Sequence, residues 1–313
     1  MVMRTRSFRS SGNPVSSSDG HRAVLLQEVI DNLSIEAKDV VVDATLGGAG
    51  HAKALSEQLS ATGVFVGIDA DTAAVERAKT ALKGTRPLAH LLIGNFRNIK
   101  PLLESVGVMH IDKTLFDLGW SGYQLSADRG FSFQKDEPLL MTYDAHPMSG
   151  ALTAQTIVNE WEEDSIADIL WGWGEERYAR RIAKAIVLRR FLRPFKTSKE
   201  LADVVVYAVP KGGKSRIHPA TKTFQALRIA VNDELGALDE GLRGAWALMG
   251  SGARMAIISF HSIEDRAVKR LLEEWEATGE GKRLKRSVIK PTDEEVKENP
   301  RARSAKLRVI QKN

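Results

Sequence analysis

Three acids stand where short apolar runs end. Asp43 closes Val40-Val41-Val42, Asp69 closes Val64 to Ile68, and Asp117 closes Lys113 to Phe116. Behind the first comes Thr45-Leu46-Gly47-Gly48-Ala49-Gly50-His51. Glycines let a backbone come close to a ligand, and a helix opening there offers free N–H groups. An acid ending the second strand can accept from both hydroxyls of a ribose, which suits an adenosine cofactor. The nicotinamide fingerprint needs three glycines, G-x-G-x-x-G; Gly48 and Gly50 supply two, and Lys53 stands in the third place, so a dinucleotide fits poorly. No Gly-Lys-Ser/Thr follows, which excludes a P-loop. An acid just before the turn serves a cation better than a pyrophosphate, so the ammonium end of S-adenosylmethionine is the better match. A tight strand–helix turn with no ligand is the competing reading. Asp117-Leu118-Gly119-Trp120 has the outline of the Asp/Asn-x-x-aromatic loop of exocyclic-amine methyltransferases, against which stands a carboxylate that merely caps a turn.

Further along, Gln124 and Arg129-Gly130-Phe131-Ser132-Phe133 place aromatics beside a cation. Such a group can stack on an unpaired base, or it can be core. His218 to Arg228 leads polar side chains into a helix, and Ser259 to Asp265, with His261, follows the fifth strand at the ligand edge. The absence of cysteine removes disulfides, zinc–cysteine sites, iron–sulfur clusters and cysteine nucleophiles. His51, His218 and His261 have no close ligand spacing, so no metal is expected. The net charge of +5 is a weak signal, but its placement is not. Trp171 to Arg228 holds 14 Lys+Arg and 4 Asp+Glu, and Lys282 to Asn313 holds 11 and 4, so the remainder is net acidic. Concentrated positive charge is what phosphate contacts require; a solvated helix face and a basic tail are the plainer alternative.

These residues need a scaffold. The 313 residues, 43% hydrophobic and 27% charged, suit a soluble globular chain, and no apolar run is long enough to cross a membrane. A helix is expected over Leu25 to Leu33, then strands at 40–43, 64–69, 90–93 and 113–117 alternating with helices. That order predicts a mainly parallel sheet covered on both faces, an α/β class. From Pro138 the alternation stops. Helices are expected over 162–171, 175–190 and 198–209, then one long helix from Thr223 to Leu248, a fifth strand at 255–259 and a last one at 307–310. The division that follows is a disordered tail 1–20, a first part of the catalytic domain 21–137, an inserted helical substrate-binding domain 138–216, and a second part 217–313 ending in the basic segment. The Arg- and Ser-rich tail could also be read as a transit peptide, but Gly12 and Pro14 break the amphipathic helix that reading needs.

With these motifs in hand, the chain resembles the bacterial 16S ribosomal RNA (cytosine-N4) methyltransferases. The likeness runs from His21 with Val24-Leu25-Leu26 through the Asp43–His51 loop, Gly119, Gln124-Leu125, Arg129 to Phe133, Gly174-Glu175-Glu176-Arg177, His218 to Thr221, Phe224 to Arg228 and Ile258 to Ser262, ending with Asn299 to Ser304. It implies a Rossmann-like S-adenosylmethionine-dependent methyltransferase fold with an inserted helical domain. The implied activity is methylation of N4 of a decoding-centre cytidine near the P site, on the small ribosomal subunit in the cytoplasm, with a homodimer left open. Family cofactor positions fall on Ala49, Gly50, His51, Asp69, Phe96, Asp117 and Gln124, beside Asp43, Gly47 and Gly48 from the motif. Asp117 is expected to be catalytic. Trp120, Arg129, Phe131, Phe133, His218, Arg228 and His261 are expected to meet the substrate. The chain departs from the family at Ala49, where glycine is usual, at Trp120, Ser121 and Gly122 in place of Val-Ser-Ser, and at Leu140 and Thr142 in place of Asp and Arg. The last two motivate a rival reading, a ribosome-binding or assembly factor that keeps the fold without turnover. A methyltransferase of a protein or small molecule is the other.

Overall fold

The computed structural model describes residues 22–118, 128–144, 147–148, 150–210 and 217–313. The tail 1–20 and the expected site residues Trp120 and Gln124 lie outside the described residues. Seven strands form one sheet in the order β3-β2-β1-β4-β5-β7-β6. β1 (Val40–Asp43), β2 (Val64–Asp69), β3 (Leu88–Ile93), β4 (Ile111–Asp117) and β5 (Met249–Ser259) run parallel. β7 (Lys306–Lys312) returns antiparallel beside β5, with the short β6 (Gly281–Arg283) on its far side. This is the Rossmann-like α/β fold expected. The strand order reverses between β1 and β4, and ligands bind such sheets at that crevice, outside the carboxyl ends of the strands.

The apolar runs are strands because both faces are covered. Val40 and Val42 enter one core, and Val41 enters the other; Val66 and Ile68 oppose Phe65, and Phe116 opposes Leu115. That alternation is the period-2 geometry of a strand buried on both sides. α1 (Leu26–Leu33), α2 (Gly50–Glu57) and α3 (Thr72–Ala81) supply apolar faces to the second core. α3 starts at Asp71, whose side chain accepts from the Ala73 N–H at 2.9 Å. After β3 a 3₁₀ turn, Phe96–Asn98, leads into α4 (Ile99–Glu104).

α5 (Ala154–Glu160), α6 (Glu163–Gly174), α7 (Ala179–Leu192), α8 (Ser198–Ala208) and α9 (Thr221–Asn232) build a separate helical core around Ile157, Leu170, Ile182, Ile186, Phe195 and Leu201. This core also takes Phe131 from before residue 138 and Phe224 and Leu227 from beyond 216. The single helix expected over Thr223–Leu248 is two. Asp233 adopts the left-handed conformation, φ 44°, and separates α9 from α10 (Glu234–Leu248). Aspartate tolerates that conformation better than most residues, because its short polar side chain can bond locally. The alternate spacing of Phe131 and Phe133 makes no strand. β5 starts six residues earlier than expected. β6 was not anticipated, because Gly281-Lys282-Arg283 has no apolar pattern.

Candidate active site

β1, β2 and β4 end side by side, so Asp43, Asp69 and Asp117 converge at the crevice. Asp43 is fully buried. Its Oδ1 accepts from the Thr45 N–H at 3.1 Å, and its Oδ2 has no hydrogen-bond partner among the described residues. Burial is the main reason its pKa is pushed up to about 7; His51 opposes the rise, and Asp117 and Asp69 add to it. The Thr45 hydroxyl in turn accepts the backbone N–H of Asp117 at 2.7 Å, tying the end of β4 to the turn after β1.

The turn itself is shaped by Asp69. One carboxylate oxygen accepts from Gly47 N–H at 2.9 Å and the other from Asp71 N–H at 2.8 Å. Two oxygens each engaged by one N–H retain lone pairs for a pair of hydroxyls. Burial raises the Asp69 pKa, with those two N–H groups pulling the other way. Gly47 sits at φ 48°, and Arg77 Nε donates to its carbonyl at 3.2 Å. Ala49 also takes a left-handed conformation, φ 63°, just before α2. A β-carbon costs roughly 1–2 kcal/mol there, which accounts for the glycine that the family resemblance implies at this position. At Gly50 an added β-carbon would stand 3.0 Å from the Ala23 methyl, so α2 can begin this close to residue 23 only without one. Gly48 lies between them in the turn.

His51, in the first turn of α2, is buried. Its Nε2 lies 2.9 Å from the Val24 carbonyl oxygen. A carbonyl only accepts, so Nε2 carries the hydrogen, and Nδ1 faces Asp117 Oδ2 at 3.4 Å. Burial works against a charge on His51, but the hydrogen bond and charge of Asp117, then Asp43 and the Val24 carbonyl, outweigh it and raise its pKa. Asp117 Oδ1 is buried and has no hydrogen-bond partner among the described residues. The carboxylate is thus held by one oxygen, and the other is left without a described partner. Phe96, which opens the 3₁₀ turn after β3, packs its ring edge-on against Phe116, the neighbour of Asp117, at 5.8 Å.

Two acids, Asp43 and Asp117, each with a buried oxygen unpaired among the described residues, a glycine turn and an acid suited to a ribose form a cradle for an adenosine cofactor with a cationic end. The family model that matches residues 18–313 agrees with that chemistry. The chain belongs to the MraW methylase family. Ribosomal RNA small subunit methyltransferase H of Clostridioides difficile (strain 630) is 43% identical over 311 residues, which span 93% of this chain and 98% of the relative. The proteins of that name from Geobacter sulfurreducens (strain ATCC 51573 / DSM 12127 / PCA) and Paenibacillus sp. (strain JDR-2) are 44% and 42% identical, each over 93% of this chain and 98% and 99% of their own.

The family residues expected at the substrate divide into two groups. His218 and Phe133 come together: their rings stack at 4.4 Å and 7°, and Phe224 meets Phe133 edge-on. His261 caps α11 (Ser262–Ala277), accepting from the Glu264 N–H at 3.3 Å, at the carboxyl end of β5. The others are engaged inside the fold. Phe131 belongs to the helical core, and Arg129 donates to the Tyr143 carbonyl at 2.8 Å. Arg228 is 7% exposed and grips both oxygens of Glu234, at 2.7 and 3.0 Å. Burying a guanidinium demands such a partner, and the contact leaves this side chain little reach toward a phosphate. Glu234, His261 and Glu264 lie within 4.8 Å of one another, close enough to share a cation. Arg228 supplies that positive charge, with Nη2 3.5 Å from His261 Nε2.

Sequence reasoning missed three positioning groups: Thr45, the Val24 carbonyl and Glu175. Glu175 ends α6 in a left-handed turn. Its carboxylate accepts from Ser262 Oγ at 2.7 Å and from Arg266, while its carbonyl accepts from Lys222 Nζ at 2.7 Å. It therefore joins the helical body to α11 on the sheet. The only signal was its place in Gly174-Glu175-Glu176-Arg177.

Proposed function

We propose that this chain transfers a methyl group from S-adenosylmethionine to N4 of a decoding-centre cytidine in 16S ribosomal RNA, near the P site, on the small ribosomal subunit in the cytoplasm. The observation that carries the reading is Asp117 Oδ1, a carboxylate oxygen with no hydrogen-bond partner among the described residues, at the switch point beside the glycine turn. The shared name of the relatives supports ribosomal RNA as the substrate.

When bound, the cofactor supplies an already activated sulfonium methyl. Asp43 Oδ2 would face its ammonium, the Gly47–Gly50 turn its body, and Asp69 its ribose hydroxyls. Asp117 does the work on the acceptor. The N4 amine is a poor nucleophile because its lone pair is delocalised into the ring. Asp117 Oδ1 accepts its N–H, raises electron density on N4 and gives the departing proton a place to go. His51 keeps Oδ2 occupied, so Oδ1 is the oxygen aimed at the amine. The target base must leave its stack to reach this point. The ring pair Phe133–His218 offers a flat edge near the helical body for neighbouring bases.

Small subunits from a strain lacking the modification, incubated with the protein and cofactor, test the reading by mass spectrometry of the RNA. One methyl on N4 of a single cytidine is expected. Unmodified RNA on subunits that nevertheless hold the protein contradicts catalysis and favours the binding-factor alternative.

A further inference from the structure

Beyond the crevice, the carboxyl end of β5 opens into a cleft of about 370 Å³ lined by Phe260, His261, Ser262, Lys290, Arg303 and Lys306, among others. It lies one strand along from Asp117, for Leu118 N–H bonds the Ile258 carbonyl at 3.0 Å and Asp117 pairs with Ile258. The cations around it are of two kinds. Lys306 and Arg308 are neutralised by Asp265, at 2.9 and 2.7 Å, and Arg266 by Glu175. Lys290 and Arg303 are exposed and have no acidic partner among the described residues.

Their backbones, by contrast, are fixed. Ile289 makes a two-way bridge with Leu307, at 3.0 and 2.9 Å, which sets Lys290 at the rim. Arg303 lies in the 3₁₀ turn Pro300–Ser304, held by the buried Ala302 and the Ala305 N–H to Ala302 carbonyl bond at 2.8 Å. Of the four acids of the intervening helix α12 (Asp293–Glu298), two are occupied elsewhere, Glu295 accepting from Leu25 N–H at 2.7 Å and Glu298 pairing with Arg22, while Asp293 and Glu294 are exposed in its first turn and do not line the cleft. Two uncompensated cations on anchored backbones, with Ser304 in the same lining, form a site for an anion with several oxygens.

We infer that this cleft binds a backbone phosphate of the RNA close to the target nucleotide, so that the C-terminal segment sets the register of the strand entering the crevice. The inference rests on the proposed RNA substrate. A phosphate contact positions a strand without reading its sequence, which is what an enzyme aligning one base against Asp117 requires. It also assigns a role to the basic charge of residues 282–313, which the cofactor cradle does not use.

The test compares Lys290→Ala/Arg303→Ala with Lys282→Ala/Lys285→Ala, which loses the same charge from the same segment outside the cleft. Binding to purified small subunits is measured against salt without cofactor, and single-turnover methylation against subunit concentration. The cleft variant should lower the slope of log affinity against log salt by about 0.7, the contribution of one single-stranded phosphate contact. It should raise the half-saturating subunit concentration roughly tenfold, leave the maximal rate within about twofold and keep cofactor affinity. Lys290→Arg/Arg303→Lys should restore binding. Equal losses in both alanine pairs, or an unchanged slope in the cleft pair, overturn the site. Wild-type protein that binds subunits but methylates nothing overturns the catalytic reading alone, because the salt slopes still judge the cleft.

Discussion

Asp43 and His51 lie in one another's field and in that of Asp117, and both pKa values are raised. Asp43 has a folded pKa of about 7 against its ordinary 3.8, so the folded chain keeps a proton that the unfolded chain releases. Its contribution to stability is complete below pH 3.8 and is lost as pH rises to about 7. His51, raised from 6.5, acts in the same direction at higher pH: its contribution is complete below 6.5 and lost as pH passes through the raised value. Denaturant unfolding of Asp43→Asn should therefore gain on wild type as pH rises from about 4 to 7. Parallel stability curves over that window contradict the buried, protonated acid. The three acids were legible in the sequence because each closes an apolar run. The His51–Asp117 contact was not, since 66 residues separate the partners and only the strand order brings them together. Arg228 and Phe131 were read as RNA contacts because a motif shows residue type and position, whereas burial depends on how α9 packs.

The elements carry the site through a few joints. One is the break at Asp233. The apolar period runs on from Thr223 to Leu248, so the sequence hides the kink. The structure uses it to bring Glu234 back to Arg228 and to the Tyr143 hydroxyl, which donates to Glu234 at 2.7 Å. Glu234→Ala withdraws both carboxylate oxygens from a buried guanidinium, and about 3 kcal/mol of stability should go with them, read as a lower denaturant midpoint. A midpoint equal to wild type would show that the pair contributes no net stability. A second joint is Gly174 at the end of α6, where a β-carbon would stand 2.7 Å from the Lys222 carbonyl. Gly174→Ala must push α6 away from α9, and a loss of about 1–3 kcal/mol is expected on the same measurement, the range for overpacking. The alternation of strands and helices was legible because burial on both faces leaves an unmistakable apolar run. The edge strand β6 lacks that pattern and was not.

Across the whole molecule, the basic charge of residues 171–228 separates into two uses. Arg190 donates to the Trp161 carbonyl at 2.6 Å, and Arg189 and Arg193 both lie near Glu200, so these arginines fasten the end of α7. Arg180, Arg181 and Lys184 are exposed on α7, with no acidic partner among the described residues. Reversing those three should flatten the salt dependence of subunit binding and leave the fold intact, whereas Arg190→Glu should chiefly lower stability. The sequence showed that charge is concentrated here; it could not separate cations that bind from cations that brace. All of this arrangement serves one oxygen. The measurement that tests the account most directly is single-turnover methyl transfer to purified small subunits, at saturating cofactor, by Asp117→Ala and Asp117→Asn beside wild type. The Ala variant should fold, bind cofactor at least weakly and lose about a hundredfold or more in rate, the scale of a lost positioned acid–base or hydrogen-bonding group. The Asn variant, which keeps an acceptor oxygen, should retain more if alignment dominates and fail alike if charge does. Near-normal turnover by the Ala variant would contradict the assignment of Asp117 as the group that receives the amine.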